Sequence, residues 1–338
     1  MKKILLIPPL NGWYLENYCE YLIRYLSNEF FIEVADVPYP PYENFINRFP
    51  ETHPLQRNPD DYDLIVPLLA THWVVTDKQK YIHKTALIWY QPNEGSYFPG
   101  LAGIAATTPL ARKSLFNAEC YKTDVRFGID TEFFKPLNFE NKSKLLRLGM
   151  VGNLYNPRRM TSLVMDVVEE MEGVELKLYV NQRPKTEHDL ELIGGRRALK
   201  YIVSGEKSYA GLPNIYNQLD VLIRCESDPG YSFPVLEAGA CGVPVIATDS
   251  GIDHEVTNAG GGILIKGDRE KYLNDEAYVK RELKKAIIFM RDNPKERAWM
   301  GLRAESFIKN IYKWEHHIDD WRRFFRKVLV RVYEGGKV

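Results

Sequence analysis

Between Asp228 and Glu237 the chain places a glycine-containing loop, Asp228-Pro229-Gly230-Tyr231-Ser232-Phe233, ahead of Pro234 and a single carboxylate. A loop that enters a helix turns several backbone N–H groups outward at the positive end of the helix dipole, which suits a phosphate or diphosphate. Gly230 lets the backbone come close to such an anion. Glu237, expected in the first helical turn, is placed to accept two hydrogen bonds from vicinal hydroxyls, as an acidic residue does with a ribose. Upstream, Gly152-Asn153-Leu154-Tyr155-Asn156-Pro157-Arg158-Arg159 brings two guanidinium groups to a second glycine-bearing loop. A guanidinium can clamp two phosphate oxygens at once, so Arg158, alone or with Arg159, can hold a diphosphate. The same residues also suit an ordinary strand–loop–helix connection whose glutamate complements the helix dipole.

These residues need elements to hold them. Residues 221–223 read as a buried strand, Pro234 as a first helical position, Gly242 as the helix end and residues 243–248 as the next buried strand. Apolar runs predict further strands at residues 4–7, 31–37, 64–69, 86–89, 103–107, 146–151, 175–180 and 200–203. Leu15, Tyr18, Leu22, Tyr25 and Leu26 recur at helical spacing, so the N-terminus also reads strand, loop, helix. Open α/β sheets bind ligands beyond the C-terminal ends of their strands. That rule makes Asn11, Gly12 and Trp13, and then Gln91 and Glu94, candidate ligands on the first sheet. From 38 to 59, six prolines interleave with aromatic residues, a composition that resists long helices and central strands.

Gly230, Pro234-Val235-Leu236-Glu237-Ala238, Ala240-Cys241-Gly242, Pro244-Val245-Ile246-Ala247 and Gly251 resemble the C-terminal signature of retaining glycosyltransferases of family 4. That family has the GT-B fold, and Phe127-Gly128-Ile129-Asp130 resembles its segment before the domain linker. The resemblance implies an α/β chain of two doubly wound Rossmann-like domains facing a cleft. An acceptor-side domain would span 1–137, with a helix at about 318–338 packing back on it, and a nucleotide-sugar domain would span 145–317. It implies transfer of a sugar from a nucleotide-diphosphate sugar to a hydroxyl of a carbohydrate, lipid-linked or other acceptor, with retention. Glu237 matches the glutamate that grips the ribose, and Ser204 ends the strand where the family seats the base. Gly152, Asn153, Arg158, Arg159, Gly230, Tyr231, Ser232 and Phe233 fall on the donor site. Pro229 stands where the family has a first glutamate, Ser232 where it has a second loop glycine, and Asn153 where it has an arginine. Asp228, whose backbone Pro229 restricts to extended conformations, is the expected substitute for the first glutamate, and Glu237, Arg158 and Asp228 form the expected catalytic set. Glu226 reads as solvated or paired with a neighbouring cation. A nucleotide-sugar epimerase of the same fold and a non-catalytic nucleotide- or sugar-binding protein stay open as alternatives.

No cofactor beyond the donor and no essential metal is implied. Asp61 and Asp63 have the spacing of a metal-binding pair of another glycosyltransferase architecture, but the apolar run that follows makes them a strand start. With 338 residues, 45% of them hydrophobic, the chain can fill two α/β cores. Lys and Arg total 45, as do Asp and Glu, so no overall field recruits nucleic acid. Four cysteines without paired spacing favour a reducing compartment over a disulfide framework or zinc site. Pro8-Pro9 ends the first apolar run too early for a signal peptide, and no stretch approaches the roughly 20 apolar residues of a membrane span. A cytoplasmic protein, at most peripheral on the inner membrane face, is expected.

Overall fold

A computed structural model describes residues 1–8, 15–35, 57–68, 78–89, 100–114, 120–138, 144–180, 183–203, 208–227 and 230–335. The chain divides into two compact units, Met1–Gly128 with Trp314–Val338, and Ile129–Lys313. In the first unit β1 (Lys2–Ile7) lies between β2 (Phe30–Val34) and β3 (Leu64–Pro67), while β4 (Ala86–Trp89), β5 (Gly103–Ala106) and β6 (Tyr121–Asp124) form a second ladder. A parallel bridge from Ile65 to Thr85, the residue before β4, connects the two ladders. Its helices are α1 (Leu15–Leu26), α2 (Lys78–Tyr81) and α3 (Pro109–Ser114), with the chain's last helix added to them.

The second unit is built on β7 (Leu146–Gly152), β8 (Val174–Val180), β9 (Val221–Arg224), β10 (Val245–Thr248) and β11 (Gly262–Ile265), in the order β11-β10-β9-β7-β8. Every pairing among the described strands is parallel. Its helices are α4 (Thr161–Glu169), α5 (Glu187–Leu192), α6 (Leu212–Asn217), α7 (Phe233–Ala240), α8 (Asp253–Val256), α9 (Arg269–Asn274), α10 (Glu276–Asp292) and α11 (Pro294–Ile311). Strands of such sheets are covered on both faces and read as continuous apolar runs. Ile4, Leu5, Leu6 and Ile7 of β1 are accordingly fully buried, as are Leu64, Ile65 and Val66 of β3.

The expected strand at 31–37 ends at Val34, and that at 200–203 is reduced to one bridge between Leu178 and Ile202 after a short 3-10 turn at Arg196–Lys200. Two strands were not expected. β6 is the polar Tyr-Lys-Thr-Asp at a sheet edge, and β11 starts at Gly262, the last glycine of a triplet that reads as a turn.

The first unit ends at Gly128, ahead of the expected 137. Ile129 N donates to Tyr312 O at 2.6 Å, Phe133 stacks on Tyr209 with ring centroids 5.3 Å apart, and Leu137 N donates to Asn217 Oδ1 at 2.7 Å. These contacts draw the segment after Gly128 into the second unit. At Gly128 itself a Cβ would stand 2.3 Å from Trp314 Cα, so only glycine allows that close approach. Trp314 opens α12 (Trp314–Tyr333), whose Trp321, Phe324, Phe325 and Val328 are fully buried in the first unit. Phe325 meets Phe30 edge to face, and Trp321 Nε1 donates to Arg126 O at 2.8 Å. Among the described residues, no helix is long and apolar enough to cross a membrane.

Candidate functional site

β9 is the middle strand of the second sheet, and the loop that leaves its C-terminal end leads into α7. All eight residues of α7 are buried, and Pro234 occupies its first turn, where a missing N–H costs nothing. Gly242, at φ +74°, follows the helix in the left-handed conformation expected there. One expectation is corrected. Phe233 is already helical, its ring 4.9 Å from that of Tyr231, so Glu237 is the fifth helical residue and lies in the second turn. Glu237 is 0% exposed, and its Oε2 accepts a hydrogen bond of 2.6 Å from the hydroxyl of Tyr216, itself fully buried on α6. Ser232, at the N-cap, makes no side-chain cap bond. Gly230 meets the turn after β10 backbone to backbone: a Cβ on Gly251, which has φ +62°, would stand 1.9 Å from Gly230 O.

The guanidinium loop reaches the same place from β7. Asn156 caps the 3-10 turn Pro157–Arg159 by accepting from Arg158 N at 3.1 Å. Arg158 O then accepts from Ser227 N at 3.0 Å, which ties this turn to the loop after β9. Asn153 and Arg158 are exposed. Arg159 was expected to join Arg158 on a phosphate, but its guanidinium bonds instead to Glu226. The cause is burial. Glu226 is 5% exposed, and a carboxylate removed from water needs cationic partners. Among the described residues two reach it, Arg224 Nη2 and Arg159 Nη1, both at Oε2.

Thr248 holds the Glu226 backbone, its hydroxyl accepting from Glu226 N at 2.8 Å and donating to Glu226 O at 2.6 Å. Beside this group Asp253 is 1% exposed and accepts from Ser250 Oγ at 3.2 Å. Burial pushes the Asp253 carboxyl up to about 7; Arg224 opposes the rise, Glu226 adds to it, and the Ser232 and Ser250 hydroxyls oppose it.

Of the residues expected from sequence, the structure gathers Gly152, Asn153, Arg158 and Arg159 at the end of β7, and Gly230, Tyr231, Ser232, Phe233 and Glu237 at the end of β9 and on α7. Asp228 and Ser204, and the acceptor-side Asn11, Gly12, Trp13, Gln91 and Glu94, lie outside the described residues. Tyr216, Arg224 and Asp253 were not singled out. The available signal was Arg224, a charge that directly ends the apolar run Val221-Leu222-Ile223. Asp61 is exposed, while Asp63 accepts from Lys3 N at 2.8 Å and from the hydroxyl of Tyr333. Among the described residues no group of three His, Cys, Asp or Glu is arranged to hold a metal ion.

Residues 146–277, which carry this site, match the family model described as Glycosyl transferases group 1. An uncharacterised glycosyltransferase of Methanocaldococcus jannaschii is 23% identical over 196 residues, which are 56% of this chain and 47% of that protein. A D-inositol 3-phosphate glycosyltransferase of Rhodococcus erythropolis is 29% identical over 125 residues, 37% of this chain and 26% of that protein. The chain thus spans less than half the length of these curated relatives. Among solved structures, sucrose-phosphate synthase from Thermosynechococcus elongatus superposes with a TM-score of 0.74 at 14% identity, over 98% of this chain and 100% of that one. Anabaena HepE in complex with UDP-glucose gives 0.70 at 12% identity, over 96% and 100%. These neighbours are GT-B proteins, and the two parallel Rossmann-like units described above make this chain one as well.

Proposed function

We propose that the protein is a glycosyltransferase that moves a sugar from a nucleotide-diphosphate sugar to an acceptor hydroxyl with retention of anomeric configuration. One observation carries this reading: the Ser227 N to Arg158 O bond brings a cation-bearing turn onto the loop that opens α7, inside the segment that matches group 1 glycosyltransferases. The backbone N–H groups at Gly230, Tyr231 and Ser232 offer donors to a diphosphate at the positive end of α7. Arg158 supplies exposed positive charge, and Glu237 takes the ribose hydroxyls. Because Glu237 is closed to solvent, nucleotide binding requires a local opening at α7. The complex of HepE with UDP-glucose supports a nucleotide-diphosphate hexose as the donor class.

Catalysis on this reading consists of positioning and of neutralising the charge that develops on the departing diphosphate, which takes the acceptor proton on the same face. Asp228 orients the donor sugar. No divalent ion takes part, because backbone N–H groups and Arg158 bear the phosphate charge. The test is proton NMR of a panel of nucleotide-diphosphate hexoses, UDP-glucose included, incubated with the protein. Release of nucleoside diphosphate with the donor's own anomer formed first is the expected result. The opposite anomer first would remove retention, and an epimerised donor without release would replace the reading with epimerisation.

A further inference from the structure

Arg224 is an unusual occupant of its position. It ends the middle strand of a parallel sheet, 7% exposed, after Val221, Leu222 and Ile223 at 0–1%. A buried guanidinium is costly unless paired, and residues kept at such cost gather at functional sites. Its partner is shared: Arg224 and Arg159 both bond to one oxygen of Glu226. Among the described residues, these two cations on one carboxylate leave a surplus of one positive charge. Asp253 faces the same group, and burial, opposed by Arg224 and reinforced by Glu226, pushes its carboxyl up to about 7, so it offsets that surplus less readily than an ordinary carboxylate would.

The group also holds unanswered donors. Arg224 Nε, Arg159 Nε and Ser227 Oγ are buried without a hydrogen-bond partner, although buried polar groups are nearly always paired. Ser227 is 2% exposed, and its own N–H is the one that holds Arg158 O. Surplus positive charge and unanswered donors therefore stand together where the 157–159 turn meets the chain after β9.

On the nucleotide-diphosphate reading of this site, we infer that Arg224 is a positioning residue for the diphosphate: it neutralises Glu226, so that the charge of Arg159 stays available to the anion. Asn153 stands where the resembling family carries an arginine, and Arg159 held in this way restores the second cation. A plain structural staple between the 157–159 turn and β9 would use the same ion pairs, but it predicts a different response to substitution.

The test compares the affinity of the full-length protein for a nucleoside diphosphate with that for its parent nucleoside, using ADP, GDP, UDP, CDP and dTDP in competition calorimetry. In Arg224→Met the ratio of the two affinities should fall at least tenfold, and Arg224→Lys should restore most of it. A staple would lower the melting temperature of Arg224→Met and leave the ratio at its wild-type value, which would overturn the inference. Should Arg224→Met not fold, Glu226→Gln decides, because it keeps both guanidinium groups. A raised ratio supports the inference, whereas a ratio kept at its wild-type value, which a staple also predicts, or a fall overturns it. Absence of binding by the wild type across all five would overturn the nucleotide reading and this inference together, whereas binding with an unchanged ratio overturns the inference alone.

Discussion

Glu237 and Tyr216 show what a residue can and cannot disclose in a sequence. The position of Glu237 near the start of α7 was legible because it lies a fixed distance after a loop glycine and before a helix-ending Gly242. Tyr216 was not, because its 2.6 Å bond to Glu237 joins α6 to α7, a contact that no local spacing encodes. A hydrogen bond to a charged group contributes about 1.5–3 kcal/mol. Tyr216→Phe keeps the ring and removes the hydroxyl, so it should weaken a ribonucleoside diphosphate more than its 2′-deoxy counterpart. Equal weakening of both would take Tyr216 out of ribose reading. Asp63 gives the opposite lesson, since its spacing from Asp61 suggests a metal while its contacts are to Lys3 N and Tyr333. Burial raises its pKa, but the Tyr333 and Lys3 bonds and the Lys2 charge outweigh that and lower it. Its contribution to stability is therefore present above the unfolded carboxylate value and lost as pH falls through the depressed folded one. Asp63→Asn should flatten this acid-side loss in denaturant melts and leave turnover unchanged. Loss of turnover in EDTA, restored by manganese, would show the pair to be a metal site.

At the scale of elements, the strands that were legible are those covered on both faces. β1, β3 and β9 read as apolar runs because a parallel sheet with helices on each side gives them no wet face. β6 and β11 were missed for a physical reason: both are edge strands, one polar and the other starting at a glycine that a sequence presents as a turn. The placement of α7 was legible to within a residue, yet that single residue moved Glu237 from the first turn to the second. The loop before α7 is fixed by Gly251, where a side chain meets both a positive φ and the Gly230 backbone. Gly251→Ala should cost about 1–3 kcal/mol of local strain. Because that strain falls on the anion loop, nucleoside diphosphate affinity should drop more than the melting temperature indicates. A melt shifted with affinity intact would place the strain elsewhere.

For the whole molecule, length and composition left room for two α/β cores and the family resemblance implied two Rossmann-like units, while the point at which the chain passes between them was not legible. Gly128-Ile129-Asp130 reads as the end of the first domain, and the backbone divides after Gly128 because Ile129 is already bonded to Tyr312. α12 belongs to the first unit through Trp321, Phe324 and Phe325, and Trp321→Ala should cost about 3–5 kcal/mol in denaturant unfolding. A loss below about 1 kcal/mol would mean that the helix is not part of that core. The central claim is that the second unit, Ile129–Lys313, holds a nucleoside diphosphate at the start of α7. Calorimetric titration of the five nucleoside diphosphates into the wild type, Glu237→Ala and Arg158→Ala tests it most directly. The account predicts one bound nucleotide for at least one base, weakened by about 1–3 kcal/mol in each variant. No binding across the panel, or binding that neither substitution changes, would contradict it.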